Sequence, residues 1–367
     1  MNTTTQRILR RQGLVMIEET QVKLNLFKRV INGLALAYLV LMVVYGMLRL
    51  TVGDGNPRLS LVNSFAYFLF VPLPLLLILT LLVRSRLAFL RLLPIVVVLL
   101  VWIGPRFVPK PIVAASGEKP LRMVTLNVWG NQHDFSRTEA WLRTTEADII
   151  SLEEVSPTYA AEKMKALSDL YPYQSNQQDK TRWGDNFTLS KYPIVSSAYV
   201  ELGIPDVPAP VRTVISVDGQ NIAVYTVHLA WPVDDEAITA KGLEFYIQVA
   251  LAFDDTVRNQ QIDNLINYLK DEPYPYVVAG DFNTSDFSVT YSKLAGTMHD
   301  SFSEGGQGLG GSWPVAQARG MPAWLPPLIR IDYIWHSDGL RTVRAWQSEA
   351  VGSDHLPLLA ELAFEGK

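Results

Sequence analysis

The stretch YPYVVAGDFN, residues 274 to 283, combines a run of β-branched and aromatic residues with a polar ending. Such a run is typical of a β-strand. Asp281 and Asn283 stand where this strand is expected to end. Because Asp and Asn often close strands as turn residues, one such ending would be unremarkable by itself.

Other stretches of the chain repeat this pattern of an apolar run with polar residues near one end. These are LRMVTLNVW (121 to 129), ADIISLEEV (147 to 155), NIAVYTVHLAW (221 to 231) and RIDYIWHS (330 to 337). Between such runs, RTEAWLRTTEA and VRNQQIDNLINYLKDEP carry apolar residues at helical spacing. Strands that alternate with helices predict an α/β architecture of layered sheets and covering helices.

Polar groups recur at the ends of these predicted strands. They are Asn127, Glu153, Glu154, His228, Asp281, Asn283 and Asp332, together with Asp354 and His355 at the entrance to a last apolar strand within VGSDHLPLLAEL. The chain has only five histidines, and two of them belong to this set. So many carboxylates, amides and imidazoles at strand ends predict one convergent pocket.

The first third of the chain is suited to a bilayer. Nineteen uncharged residues lie between Arg29 and Arg49, and 25 lie between Arg58 and Arg84, each enough to cross a hydrocarbon core of about 30 Å. A third apolar run covers 87 to 104 and is interrupted by Arg91, which can reach the interface by snorkelling. We therefore predict an all-α transmembrane region with three spans.

Basic residues predict the orientation of these spans. Six Lys and Arg side chains precede the first span, and Arg84 and Arg86 lie between the second and the third. Both segments are expected in the cytoplasm, so the protein is expected to be a multi-pass protein of the cell membrane. Three spans would leave the C-terminal domain extracytoplasmic. If the run at 87 to 104 does not span, that domain is cytoplasmic instead.

Charge divides the chain as sharply as hydrophobicity does. Residues 1 to 110 hold 13 of the 32 Lys and Arg but only three acids, whereas the remainder has 19 basic and 33 acidic residues, a formal charge of −14. This charge disfavours a long polyanion such as duplex DNA as a partner. The chain contains no cysteine, which excludes disulfides and thiolate-ligated metals.

The ordered motifs TLNVW, IISLEEV, DNFTLSKYPI, VHL, GDFN, RIDYIW and SDHLPL resemble those of the endonuclease/exonuclease/phosphatase superfamily. The resemblance covers roughly residues 119 to 364 and is most specific at GDFN followed by SDH. It implies a four-layer α-β-β-α sandwich of two packed mixed sheets flanked by helices. It also implies hydrolysis of phosphate esters with Mg²⁺, or with Mn²⁺ as the alternative metal.

The resemblance implies roles for individual residues. Glu154, Asn127 and Asp354 match the metal side of the family's site, and Glu153 stands where the family usually has glutamine. That substitution is expected to add a charge near the metal. Oxygen ligands of this kind suit Mg²⁺.

The remaining matches concern water and phosphate. Asp281 matches the residue that orients or deprotonates the attacking water, and Asn283 its phosphate-binding neighbour. His355 resembles the phosphate-contacting histidine, whose tautomer and charge Asp332 would fix. His228 matches a second imidazole that contacts the phosphate and can protonate the leaving group. Asn186 is either a substrate contact or a turn residue.

These inferences define an expected domain plan and function. The plan is a cytoplasmic segment at 1–28, a three-helix anchor at 29–105, a linker at 106–118 and a catalytic domain at 119–367. The expected activity is hydrolysis of a phosphodiester, a phospholipid head group or a small phosphodiester at the bilayer surface, by metal-assisted in-line water attack. An extracytoplasmic nuclease and a non-enzymatic membrane scaffold are the alternatives. The expected partners are the phosphate-ester substrate and the lipid bilayer, and the sequence indicates no protein partner.

Overall fold

The computed structural model describes residues 3–111, 119–130, 135–155, 165–175, 186–205, 207–233, 238, 243–318 and 321–365. The chain divides into two compact units. Unit 1 comprises Met1–Gly53 and Phe65–Pro105, and unit 2 comprises Asp54–Ser64 and Arg106–Lys367. The stretch Asp54–Ser64, which includes the start of the second predicted span, therefore belongs to the same unit as the expected catalytic domain. Part of the expected linker, residues 112–118, lies outside the described residues.

Helices occur in both units of the chain. In chain order they are α1 (Thr3–Thr51), α2 (Pro57–Ser64), α3 (Pro72–Leu82), α4 (Arg86–Trp102), α5 (Ser136–Thr144), α6 (Leu243–Ala252), α7 (Thr256–Leu269), α8 (Val289–Ala295) and α9 (Ser301–Gly305). Short 3₁₀ helices occupy Ala66–Phe70 and Gly104–Phe107.

Unit 1 contains the apolar helices. Within the described residues, only the Gln21–Thr51 part of α1 is by itself long and apolar enough to cross a membrane. A second span results if Pro57–Ser64 and Ala66–Leu82, which are bent by 68°, are taken together. The 17-residue helix α4 is shorter than the 18 residues that this criterion requires. The described residues therefore contain one N-terminal helix that is long and apolar enough for a membrane span or a signal sequence.

Polar side chains join the helices of unit 1. Ser85 Oγ donates to Asn32 Oδ1 at 3.0 Å, and Arg91 Nη1 donates to the Asn32 carbonyl at 2.8 Å. Arg91, which interrupts the third apolar run, therefore has an acceptor within the unit. Ile31, next to Asn32 on α1, and Leu92, next to Arg91 on α4, are both buried.

Unit 2 contains two six-stranded mixed sheets in the described part of the chain. The first has the order β11-β12-β1-β2-β4-β3 and the second the order β5-β6-β7-β8-β10-β9. The strands of the first sheet are β1 (Leu121–Asn127), β2 (Ile149–Glu153), β3 (Tyr173–Gln174), β4 (Phe187–Ser190), β11 (Leu340–Gln347) and β12 (Leu358–Phe364). Those of the second are β5 (Ile194–Tyr199), β6 (Val211–Val217), β7 (Gln220–His228), β8 (Tyr276–Asp281), β9 (His299–Asp300) and β10 (Asp332–His336).

Three apolar clusters define the layers. Met123 and Ile149 of the first sheet pack with Val224 and Val277 of the second, so the two sheets share a core. Leu142 of α5 belongs to a cluster on the outer face of the first sheet, and Leu265 of α7 to one on the second. The predicted four-layer sandwich is confirmed, as are the five strands expected as β1, β2, β7, β8 and β10.

Strand register brings the polar strand ends to one edge. Strands β1 and β2 are parallel with Asn127 opposite Glu153, and β7 and β8 are parallel with His228 opposite Asp281. Strand β10 runs antiparallel to β8, which sets its first residue, Asp332, opposite Asp281. The last strand, β12, begins only at Leu358, so Asp354 and His355 lie in the turn before it.

Candidate active site

The first group of functional side chains centres on the amide of Asn127. Its Nδ2 donates to Glu154 Oε1 at 2.9 Å and to Asp281 Oδ2 at 3.1 Å, while its Oδ1 accepts from Trp129 N at 2.9 Å. Glu154 Oε2 also accepts from Gly130 N at 2.8 Å. One amide group therefore holds together a carboxylate from each sheet.

Glu154 takes its place through an unusual backbone conformation. It directly follows β2 and has a φ of 57°, in the left-handed region. Non-glycine residues rarely adopt this region, and where they do the surrounding contacts must hold them. Here the contacts to Asn127 and Gly130 hold the carboxylate at the strand end.

Two imidazoles flank the carboxylate of Asp281. His355 Nε2 lies 3.7 Å from Asp281 Oδ2, and His228 Nε2 lies 3.9 Å from the same oxygen. His228 Nε2 is also 4.0 Å from Glu154 Oε1. His355 Nδ1 lies 2.9 Å from Asp332 Oδ2, so a carboxylate fixes its second ring nitrogen.

The charges of this group are set by burial and by neighbours. Burial alone would lower the pKa of His355, but Asp332 and Asp281 outweigh it and raise that pKa to about 10. Burial, reinforced by the charge of Asp332, raises the pKa of Asp281 above its usual range. The site therefore combines an imidazolium with a carboxylate that accepts a proton more readily than usual.

Glu153 lies just behind this group and is fully buried. Its Oε1 accepts from Thr125 Oγ1 at 3.0 Å, whereas Oε2 has no hydrogen-bond partner among the described residues. Burial, with the charge of Asp332 adding to it, raises the pKa of Glu153 well above the usual value. This environment favours the neutral form of the Glu153 carboxyl group, the form that is closest in shape and charge to a glutamine side chain.

The donor set fits a divalent cation. Ligand atoms of Asp281, Asp332 and His355 lie within 4.8 Å of one another and are buried. Asp281 and Asp332 flank the imidazolium of His355, and Glu154 is joined to Asp281 through the Asn127 amide, so the carboxylates outnumber this cation. Because an imidazolium has no free lone pair for a metal, the carboxylates are the candidate ligands. Hard cations such as Mg²⁺ prefer carboxylate and amide oxygens of this kind.

Three further predicted residues have hydrogen-bond partners of their own. Asn283 Nδ2 donates to the Leu229 carbonyl and its backbone N donates to Asp281 Oδ1, each at 2.8 Å. Asp354 is buried, and its Oδ2 accepts from Trp313 Nε1 at 3.2 Å. Asn186 Nδ2 donates to the Ala209 carbonyl at 2.9 Å, while its buried Oδ1 has no hydrogen-bond partner among the described residues.

Several residues that support the site were not predicted from sequence. Ser353 Oγ donates to the Asn127 carbonyl at 2.6 Å and accepts from His355 N at 3.0 Å. Ser312 Oγ accepts from Asp332 N at 3.3 Å. The serine directly before Asp354 was the available sequence signal for Ser353, but nothing near Ser312 pointed to β10.

The family model for endonucleases, exonucleases and phosphatases matches residues 124–355. The chain belongs to this endonuclease/exonuclease/phosphatase family. It is accordingly a phosphoric ester hydrolase, and the scaffold alternative loses its support. Enzymes of the endonuclease/exonuclease/phosphatase family are generally dependent on a divalent metal, which agrees with the buried group of acids and histidine.

The individual relatives share only low sequence identity with the chain. The chain is 28% identical over 193 residues to the CCR4-Not complex 3'-5'-exoribonuclease subunit Ccr4 of Yarrowia lipolytica. This match covers 40% of the chain and 26% of that relative, so the chain spans about a quarter of its length. A solved endonuclease/exonuclease/phosphatase from Bacteroides vulgatus matches with a TM-score of 0.52 and 19% identity, over 68% of this chain and all of that one. That similarity shows the fold.

Proposed function

We propose that this protein is a membrane-anchored, Mg²⁺-dependent phosphodiesterase that acts on a phospholipid head group or a small phosphodiester at the membrane surface. One observation carries the proposal: Asp281 Oδ2 lies 3.7 and 3.9 Å from two imidazoles and shares the Asn127 amide with Glu154. A base, two proton donors and a candidate metal ligand are thereby directed at one point.

The chain's own residues supply acid and base functions. Asp281, whose pKa is raised, accepts a proton from the attacking water. His355, kept protonated by Asp332, donates a hydrogen bond to a nonbridging phosphate oxygen. His228 lies near both Asp281 and Glu154. It donates a proton to the departing oxygen.

The metal side of the site is assigned to Glu154, with Asn127 and Asp354 as the further predicted ligands. When bound there, Mg²⁺ would polarise the phosphoryl group and neutralise charge on the leaving oxygen. In this structure the amide of Asn127 presents its nitrogen to Glu154 and Asp281 and its oxygen to Trp129 N, so Asn127 would bind the metal only with the amide turned over. In this arrangement Asn127 also fixes the directions of both carboxylates.

Exposed apolar side chains support membrane anchoring. Leu41 on α1, Leu81 on α3 and Val101 on α4 are each more than half exposed. Exposed apolar groups along three helices of one unit are expected where lipid covers them. This supports an anchor made of α1, α3 and α4, whereas α2 (Pro57–Ser64) belongs to the catalytic unit.

The division into units supports the proposed orientation. The segment that follows α1, Asp54–Ser64, belongs to the same unit as the catalytic residues. If α1 crosses the bilayer, the basic residues before it lie on the side opposite to the catalytic domain. Basic segments favour the cytoplasm, so the catalytic domain is proposed to be extracytoplasmic.

The acidic balance of the C-terminal part and the membrane anchor favour a lipid or small substrate over nucleic acid. A nuclease is the second candidate, because the relative from Yarrowia lipolytica is named as an exoribonuclease. Many phosphate contacts to a long polyanion would draw on Lys and Arg, which are outnumbered in residues 111 to 367.

The full chain, reconstituted in detergent or in vesicles, tests the proposal. Vesicles of phosphatidylcholine or sphingomyelin, bis(p-nitrophenyl) phosphate, p-nitrophenyl phosphate, single-stranded DNA and RNA serve as substrates, with Mg²⁺ or EDTA. We expect the lipid vesicles and bis(p-nitrophenyl) phosphate to be cleaved in Mg²⁺. The Asp281→Ala and His355→Ala variants should lose this activity. The matched control is His299→Ala, since His299 is an exposed histidine outside the site.

Two other outcomes would contradict the proposal. Activity restricted to nucleic acid would favour the nuclease. Turnover that survives EDTA and both active-site substitutions would overturn the mechanism.

A further inference from the structure

The segment Asp54–Ser64, which links two apolar helices, is built into the catalytic unit. Asp54 Oδ2 accepts from Thr290 N at 2.7 Å, at the start of α8, and Asp54 Oδ1 accepts from Asn63 Nδ2 at 2.8 Å. Ser60 and Asn63 are fully buried. A short connector between membrane helices would need none of these contacts.

Ser60 makes the contact that connects this segment to the buried interior of the catalytic unit. Its Oγ donates to Asp255 Oδ2 at 2.5 Å. The same carboxylate oxygen accepts from Arg258 Nη2 at 2.7 Å and from Asn259 Nδ2 at 3.0 Å. The side chains of Asp255 and Arg258 are only 2% and 1% exposed, so this ion pair is buried and depends on its hydrogen bonds.

Arg258 connects the buried pair to the active site. Its Nη1 donates to the backbone carbonyl of Asn283, next but one to Asp281. Asn283 has a φ of 48°, in the left-handed region, and its backbone N donates to Asp281 Oδ1 at 2.8 Å. A non-glycine residue in this conformation must be held by its surroundings. Arg258 supplies one of the contacts that hold it.

We propose that Arg258 is a positioning residue for the Asp281–Asn283 turn and that Ser60, from the connector between the apolar helices, keeps Arg258 in place through Asp255. The kinetic part of this inference rests on the proposed function of Asp281. The connector thereby contributes to the geometry of the catalytic centre as well as joining two helices.

The matched variants are Ser60→Ala, Ser60→Thr and Ser64→Ala in the full chain. Ser60→Ala removes the hydrogen bond to Asp255, and Ser60→Thr keeps a hydroxyl. Ser64 lies on the same helix and is buried, but its hydroxyl donates to the Ser60 carbonyl instead. Ser64→Ala therefore controls for loss of a buried hydroxyl from α2.

Kinetics with bis(p-nitrophenyl) phosphate provide the first readout. We expect Ser60→Ala to lower kcat about fivefold with KM nearly unchanged, and to lower Tm as well, because a buried carboxylate loses one of its hydrogen bonds. Ser60→Thr should restore kcat, and Ser64→Ala should keep the wild-type value. A drop in Tm without a change in kcat, or equal losses in Ser60→Ala and Ser64→Ala, would contradict the inference.

Hydrogen exchange gives a readout that does not need turnover. Peptides covering 279 to 288 should exchange faster in Ser60→Ala than in wild type, with Ser60→Thr and Ser64→Ala close to wild type. If wild type cleaves none of the substrates, the proposed function fails but this comparison still decides the inference. Unchanged exchange in Ser60→Ala would overturn it.

Discussion

His355 Nδ1 and Asp332 Oδ2 lie 2.9 Å apart, and both side chains are buried. Across β8 and β10, Asp332 also faces Asp281, whose carboxylate lies 3.7 Å from the other ring nitrogen. The imidazole of His355 is thus enclosed by two carboxylates on neighbouring strands. This arrangement fixes the orientation of the ring and keeps it charged at neutral pH, with a proton on each ring nitrogen.

The first prediction follows from this pair. The folded-state pKa of His355 is raised to about 10, so an activity that needs the imidazolium is present below that pH and lost as pH rises through it. Asp332→Asn should lower kcat/KM about a hundredfold and shift this alkaline limb to lower pH. A pH–rate profile measures both effects.

The control for this prediction is Asp338→Asn. Asp338 lies just beyond the other end of β10, where its carboxylate contacts His299. This substitution should leave the profile unchanged. An alkaline limb at the same pH in Asp332→Asn and wild type would show that Asp332 does not set the charge of His355.

The second prediction concerns Glu153. Since burial raises the pKa of this carboxyl group well above its usual value and so favours the neutral form, a neutral amide should be tolerated here, and Glu153→Gln should preserve the hydrogen bond from Thr125. We expect kcat/KM at pH 7 within about twofold of wild type, a difference smaller than one hydrogen bond is worth. By contrast, Glu154→Gln should be nearly inactive. A loss of tenfold or more in Glu153→Gln would mean that the carboxylate form is needed.

The third prediction concerns Gly280, which directly precedes Asp281. Its φ is 148°, and a Cβ at this position would lie 1.8 Å from the carbonyl oxygen of Val227. Gly280→Ala should therefore push β7 and β8 apart and cost about 3 kcal/mol of unfolding free energy or more. Thermal or denaturant melting measures this loss.

Gly219→Ala is the matched comparison. Gly219 also has a positive φ, 84°, but a Cβ there would meet no atom within 4 Å. Its cost should be backbone strain alone, about 1 kcal/mol. Similar destabilisation by both substitutions would argue against close strand approach as the reason for glycine at 280.

The fourth prediction concerns metal binding without turnover. A cation that binds only the folded protein raises Tm by mass action. Mg²⁺ should raise the Tm of the EDTA-treated wild type, and this increase should be largely lost in Glu154→Gln. The exposed Glu349 offers a control, since Glu349→Gln keeps the site intact. An equal Mg²⁺ response in wild type and Glu154→Gln would remove Glu154 from the metal site.

Much of the fold was predictable because local patterns determine it. The apolar run ending at Asp281 predicted β8, and the helical spacing of RTEAWLRTTEA predicted α5, which covers 136–144. The ordered motifs predicted both the sandwich and the convergence of the strand ends. The register that sets Asp332 opposite Asp281 then follows from the pairing of β8 with β10.

The supporting contacts were not predictable from the same patterns. Arg258 lies in a stretch that was identified only as an amphipathic helix, and its reach to Asn283 depends on how α7 packs on the sheet. Ser60 lies within an uncharged run assigned to the second span. Its hydroxyl and that of Ser64 were weak signals, since single hydroxyls are tolerated in membrane helices.

The discontinuous make-up of the catalytic unit also bears on proteolysis. A protease that cut in the stretch 106–118 would separate the C-terminal domain from Asp54–Ser64, because those eleven residues remain with the N-terminal fragment. The shed fragment would leave the Asp255 carboxylate without the serine that reaches it in the intact chain. A catalytic domain without Asp54–Ser64 would have to supply that hydroxyl from another part of its own sequence.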